Sequence, residues 1–248
     1  MQRHMLRTMV AAVATAGAAL LTVGAAGATS AGAATHYPVI YTSSQAGYTV
    51  SGRWFRYVAT YVKVPAAGSV SNYALVALGG SNVAGVNLGI QPGGGPNSIG
   101  WAVGSQPFGM GGGTLSNVSP KVGDTVLIDL YYNKATGGVT ATATDTTSNQ
   151  TQSVTIAEGK TALFTSAEVA GYIHNPSSPP AADTRLWQFT DSHVTTYTGV
   201  RGTMTGSWTT SQVIDTTDGH STGHMVFSPS LPFNKGANFG TWLRTYLR

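Results

Sequence analysis

The chain has 248 residues, 13 Lys and Arg against 9 Asp and Glu, a formal net charge of +4 and no cysteine. That excess is too small for the electrostatic footprint of a nucleic-acid partner, so none is expected. The lack of cysteine excludes disulfides, thiolate metal sites and a cysteine nucleophile together.

Arg3 and Arg7 precede an uncharged, Ala-rich run from Met9 to Ala28, and the small-residue stretch Ala31-Gly32-Ala33-Ala34 follows. This is the pattern of a secretory signal peptide. Residues 1–34 are therefore expected to be removed, leaving 35–248 as a single β-sandwich domain, secreted to the extracellular side. No later segment is long and apolar enough to span a bilayer as a helix.

The first strand signal is the alternation from Trp54 to Pro65, in which Arg56, Val58, Thr60, Val62 and Val64 oppose Phe55, Tyr57, Ala59, Tyr61 and Lys63. Tyr73 to Leu78 is a continuous apolar run ending in Gly79-Gly80, and Val86-Asn87-Leu88-Gly89-Ile90 follows. Both read as buried strands. Asn87 is the one amide in the second run: a structural hydrogen bonder, or a polar group presented to a groove. Gln91 to Pro96 and Gly109 to Gly113 read as surface loops flanking a strand candidate from Ile99 to Val103, and neither has the Gly-Lys-Ser/Thr of a phosphate loop.

The clearest architectural signal is Val122 to Asn133 followed by Gly138 to Asp145. Val126, Ile128, Leu130 and Tyr132 share one face, and Val139, Ala141 and Ala143 line one face of the partner, so the pair covers a core from one side. Thr151 to Ile156 extends the hairpin to a meander, with Glu158 in the next turn, where it is expected to be solvated. After Phe164 to Gly171 comes a Pro-rich loop from Asn175 to Ala182. Short strands resume at Leu186 to Phe189, at His193 to Thr198, from Ser207 to Ile214 and from Phe239 to Leu247. Closely spaced strands with little helical periodicity predict an all-β fold, an antiparallel sandwich of two packed sheets.

Little catalytic chemistry fits such a chain. An α/β-hydrolase serine disagrees with the strand pattern, and H-E-x-x-H is missing. His220 and His224 are four apart in a Ser/Thr/Gly loop, a spacing that does not align ligands as a helix would, so neither a metal nor any other cofactor is expected. Asp124 and Asp129 fall on opposite faces of a regular strand and make no glycosidase pair. Trp54 and Trp101 are the aromatic candidates for lining a substrate groove, with core packing as the alternative for each. Glu168, one of two glutamates and set between apolar neighbours in Ser166-Ala167-Glu168-Val169, is the strongest candidate acid or base. The alternative reading is a solvated edge or a hydrogen-bonded structural acid.

Several short segments, colinear over most of residues 35–248, resemble the glutamic peptidases, or eqolisins, secreted acid proteases with a concanavalin A-like double-sheet fold. Ala46-Gly47-Tyr48 is similar to the end of the family's Asn-Trp-Ala-Gly-Tyr segment, with Ser44-Gln45 in place of Asn-Trp. The run from Ala59 to Pro65 is similar to the family's strand ending in Val-Pro. Leu78-Gly79-Gly80, Val122-Gly123-Asp124-Thr125 and Asp145-Thr146-Thr147 resemble three of its turns. Ser166-Ala167-Glu168 falls where the family has Ser-Ala-Glu-Trp, although Val169 replaces the Trp. The resemblance implies that Glu168 activates a water and then protonates the leaving amine, at acidic pH. It also implies an amide donor for the oxyanion, a glutamine in the family. Here Asn87-Leu88-Gly89 occupies that place one methylene shorter, and Gln91 lies four positions on, an even offset that keeps it on the same strand face.

Two classes stay open on the sequence. One is a secreted endopeptidase acting on a peptide or protein substrate through Glu168 with Asn87 or Gln91. The other is an inactive relative that binds a peptide or glycan.

Overall fold

A computed structural model of the chain describes residues 36–42, 45–66, 72–90, 97–105, 109–173, 185–216, 219 and 225–243. The expected signal segment, Gln91, the Pro-rich stretch from Asn175 to Ala182 and both His220 and His224 lie outside the described residues.

Among the described residues every regular element is a strand: β1 (Val39–Thr42), β2 (Gln45–Ser51), β3 (Phe55–Lys63), β4 (Asn72–Gly80), β5 (Asn82–Ile90), β6 (Ser98–Ser105), β7 (Gly109–Thr114), β8 (Thr125–Asn133), β9 (Gly138–Asp145), β10 (Gln150–Ala157), β11 (Phe164–Ile173), β12 (Arg185–Thr196), β13 (Arg201–Thr203), β14 (Thr209–Thr216), β15 (Met225–Pro229) and β16 (Phe239–Leu243). Hydrogen bonding runs in the order β10-β9-β8-β3-β12-β16-β15-β14-β2-β11-β4-β5-β6-β7, with β1 beside β14 and β13 beside β12. All pairings are antiparallel except β1 with β14. The ladder doubles back on itself, so that β3 and β8 lie across from β4, β5 and β11. The fold is the expected all-β sandwich of two packed sheets, and it resembles the concanavalin A-like type.

The core lies between the layers. Val126, Ile128, Leu130 and Tyr132 of β8 and Val139, Ala141 and Ala143 of β9 are all buried, as the two-residue period requires. The facing sheet contributes Tyr48 and Val50, Ala74, Val76 and Leu78, Ala84, Val86 and Leu88, and Ala167 and Val169. Each large side chain withdrawn from water contributes roughly 1.5–3 kcal/mol before the entropy of ordering is set against it. The β9–β10 turn is closed by Asp145, which accepts from the Thr147 N–H at 2.9 Å and the Ser148 hydroxyl at 2.6 Å.

Three local expectations are corrected. Gly109 to Gly113, read as a loop, belongs to strand β7. Its glycines make room for an aromatic ring: a Cβ at Gly113 would meet Trp101 Cζ2 at 3.0 Å. Glu158 is half-buried rather than solvated and accepts from Asn82 Nδ2 at 2.7 Å. The two short strands expected around 186–198 form the single strand β12, whose register shifts between Thr190 and His193, where Asp191 adopts φ 49°.

Candidate active site

Strand β11 lies between β2 and β4. Ala167 and Val169 point into the core, so by alternation Ser166, Glu168, Ala170 and Tyr172 occupy the opposite face. Register then places their neighbours. Glu168 pairs with Thr49 of β2 and Ala77 of β4, Ala77 pairs with Gly85 of β5, and Thr49 pairs with Ser211 of β14. Two residues further along, Ala170 pairs with Gly47 and Leu75, and Leu75 pairs with Asn87. Val86 and Leu88 are core residues, so Asn87 also turns away from the core. Glu168 and Asn87 therefore share one face, separated by strand β4.

Spacings of about 4.8 Å between strands and 3.4 Å per residue put their Cα atoms about 12 Å apart. Among the described residues Ala77, Gly85, Leu75 and Ala170 stand between them in the sheet, and none carries a polar side chain. A direct contact between the two side chains is not built into the register.

The orientation of the Asn87 amide follows from its partner. The backbone N–H of Gly100 donates to it at 3.0 Å, and only an oxygen can accept, so Oδ1 faces β6 and Nδ2 is turned elsewhere. Asn87 is thus both hydrogen-bonded structure and a held donor.

Glu168 is buried at 4% exposure, and its Oε1 has no hydrogen-bond partner among the described residues. Burial pushes the carboxyl up from its ordinary value to about 7. The neighbouring Thr49 hydroxyl does not relieve this, because it donates to the Ala167 carbonyl at 3.2 Å. A group of this kind takes up or releases a proton near neutrality.

The same face holds polar groups that the sequence reading missed. Gln45 and Asp215 are buried at 2% and 1%, and Gln45 Nε2 and Asp215 Oδ2 have no partner among the described residues. Desolvation raises the Asp215 carboxyl to about 7 as well. The signal was the alternation of Gln45, Gly47 and Thr49 against Ala46, Tyr48 and Val50, which marks a strand with a second, polar face.

The two tryptophans lie elsewhere. Trp101 is paired with Val86 and packs against the core cluster, on the face opposite Asn87. Trp54 is 54% exposed and meets Tyr197 edge-on at 6.4 Å. A cavity of about 590 Å³ is lined by Trp187, Phe189, Phe233 and Phe239 and does not border Glu168.

Among the described residues no group of three or more His, Asp or Glu side chains is placed to hold a metal. Gly219-His220-Ser221-Thr222-Gly223 has the G-x-S-x-G spacing of a nucleophile elbow. A nucleophile elbow joins a strand to a helix, and here the next element is strand β15, so the spacing carries no such role.

No family model matches the sequence and no curated protein matches it, so the likeness to known proteins rests on structure. The scytalido-glutamic peptidase structure with a peptide-based transition-state analogue is 17% identical, with 83% of this chain and 100% of that chain covered at a TM-score of 0.58. The eqolisin SCP-B in complex with the tripeptide Ala-Ile-His is 16% identical, with 81% and 98% covered at 0.56. Aspergilloglutamic peptidase from Aspergillus niger is 13% identical, with 71% and 99% covered at 0.50. The chain shares its fold with the solved glutamic peptidases.

Proposed function

We propose that the protein is a secreted peptidase that hydrolyses peptide bonds over the Glu168–Asn87 face, its mature form being residues 35–248. The observation that carries this reading is the environment of Glu168, a buried carboxyl with an unpartnered oxygen on the same sheet face as an oriented amide donor. Buried polar groups without partners are uncommon in native proteins and call for a ligand or a chemical role. The fold shared with glutamic peptidases supports the same substrate class.

In this mechanism the ionised Glu168 removes a proton from a water, and the hydroxide formed attacks the carbonyl carbon of the scissile peptide. The oxyanion accepts a hydrogen bond from Asn87 Nδ2, which Gly100 holds in place through Oδ1. On collapse of the tetrahedral intermediate the C–N bond breaks, and Glu168 returns its proton to the leaving nitrogen. Glu168 is the catalytic acid and base, and Asn87 stabilises the charge that develops.

Incubation of the protein with denatured casein between pH 2 and 8, beside a Glu168→Gln control, tests the reading. Cleavage that the substitution abolishes supports it. No cleavage by either protein removes it and favours the binding module that the replaced glutamine also suits.

A further inference from the structure

We propose that the outer face of the layer formed by β3, β12 and β16 carries a docking trough for a neutral glycan, walled by the β15–β16 hairpin. It is separate from the Glu168 face and stands whether or not that face cuts peptides.

Strand period sets the floor. Trp187, Phe189 and Phe239 border the cavity of about 590 Å³ from beneath, but they are 1% exposed or less and turn into the core. Gln188 and Thr190 of β12 therefore stand on the outer face, with Gly240 of β16 paired to Gln188 and leaving space where a side chain would stand. A second cavity of about 310 Å³ shares Gln188 and continues past Lys63, its partner on β3, to Pro65 and Val122. Together they make one trough across the strands, with Gln188 in its middle.

The apolar wall is held in place. Leu231 and Phe233 are 66% and 58% exposed. The hairpin that carries them turns through Asn234, Lys235 and Gly236 at positive φ, and Phe233 and Asn238 close it with backbone bonds of 2.9 and 3.2 Å. It is tied to β12 as well, where the Asp191 N–H donates to Asn238 Oδ1 at 3.0 Å and the Ser192 N–H donates to the Ala237 carbonyl at 2.7 Å. Two large apolar side chains fixed in water beside a cavity mark a binding surface.

The chemistry of the lining selects the ligand. Among the described residues that line the trough, Lys63 alone carries a charge, and it sits beyond Gln188 from Phe233, so the partner recognised is neutral. Among the described residues no hydrogen bond engages the Gln188 amide or the Thr190 hydroxyl, and both groups can donate and accept. A wholly apolar molecule would cover Phe233 and Leu231 but strand those polar groups away from water. An added peptide strand needs an open sheet edge, and β12 and β16 each have a strand on both sides. A pyranose meets both demands: its apolar C–H face lies on the Phe233 ring, and its hydroxyls donate to and accept from Gln188 and Thr190. A linear glycan lying across the strands fills both cavities and meets Gln188 between them.

The test is native electrophoresis of the unsubstituted protein through gels cast with a soluble neutral polysaccharide, either mixed-linkage β-glucan, galactomannan or starch, with polygalacturonate as the charged comparison. At least one neutral polymer is expected to retard the protein. Phe233→Ala and Gln188→Ala should each weaken that binding about tenfold, the scale of one lost stacking or hydrogen-bond contact. Phe233→Leu keeps apolar area without the ring and should weaken it too. Retardation by no neutral polymer, by polygalacturonate alone, or to the same degree in the Phe233→Ala and Gln188→Ala proteins overturns the proposal. Retention that rises with protein concentration and needs no polymer makes the trough a contact between two copies, and overturns it equally. Phe233→Ala should leave casein cleavage unchanged and Glu168→Gln should leave retardation unchanged, so this proposal and the peptidase reading fail separately.

Discussion

Glu168 and Asn87 stand on one face of one sheet, on strands separated by β4 and two residues apart along it. The Asn87 amide is turned by the N–H of Gly100, so its donor end points away from β6. The apolar strip of Ala77 and Leu75 lies between them, and a reacting group shared by the two has to sit over that strip. The separation makes the length of the amide side chain a governing variable.

Shortening the amide should slow the chemistry and lengthening it should help. Asn87→Ala removes the oxyanion donor and leaves the Gly100 N–H unpaired, so kcat should fall about 10²-fold and stability by about 1–3 kcal/mol. Asn87→Gln adds one methylene of reach and should raise kcat above that of the unsubstituted protein. Steady-state kinetics on a single peptide, with thermal melts alongside, check both.

Burial of Glu168 makes stability depend on pH. Its carboxyl titrates near 7 in the folded protein and near its ordinary 4.5 in the unfolded chain, so between those values the folded state holds the extra proton. Stability from this group is therefore full below about pH 4.5, declines as pH rises, and levels off above about 7. The loss amounts to about 3 kcal/mol at most. Glu168→Gln should match the parent in Tm near pH 4 and exceed it near pH 8. Equal melting at both pH values would count against a buried, unpaired carboxyl.

The β2–β11 pairing beneath the site depends on Gly47. A Cβ there would approach the Cβ of Ala170 to 2.7 Å and press on the Val169 carbonyl, both parts of the strand that carries Glu168. Gly47→Ala should cost about 1–3 kcal/mol, the usual penalty for forcing extra volume into a packed site. Urea denaturation measures it, and a change under 0.5 kcal/mol would show that the strands separate more easily than this spacing implies.

Much of the fold was legible because it depends on strand period. The β8–β9–β10 meander follows from alternating Val, Ile, Leu and Ala on one face and Thr on the other, a pattern no helix can present. Strand β7 was not legible, because glycine favours a loop unless something flat packs over it, and that partner is the Trp101 ring across the β6–β7 pair. For the site, Glu168 stood out as a lone carboxylate among apolar residues, and Asn87 as a lone amide. Their common face, and the addition of Gln45 and Asp215 to it, depend on which strands neighbour β11. That order joins segments far apart in the chain, and local pattern does not carry it.

The most direct test of the central claim is the pH profile of kcat/KM for one peptide substrate, measured from pH 2 to 8 on the unsubstituted protein and on Glu168→Gln. A base that must be ionised and titrates near 7 predicts a rate that falls as pH drops below about 7, and a loss of at least about 10²-fold on substitution. Equal rates for the two proteins across the range would contradict the assignment of Glu168.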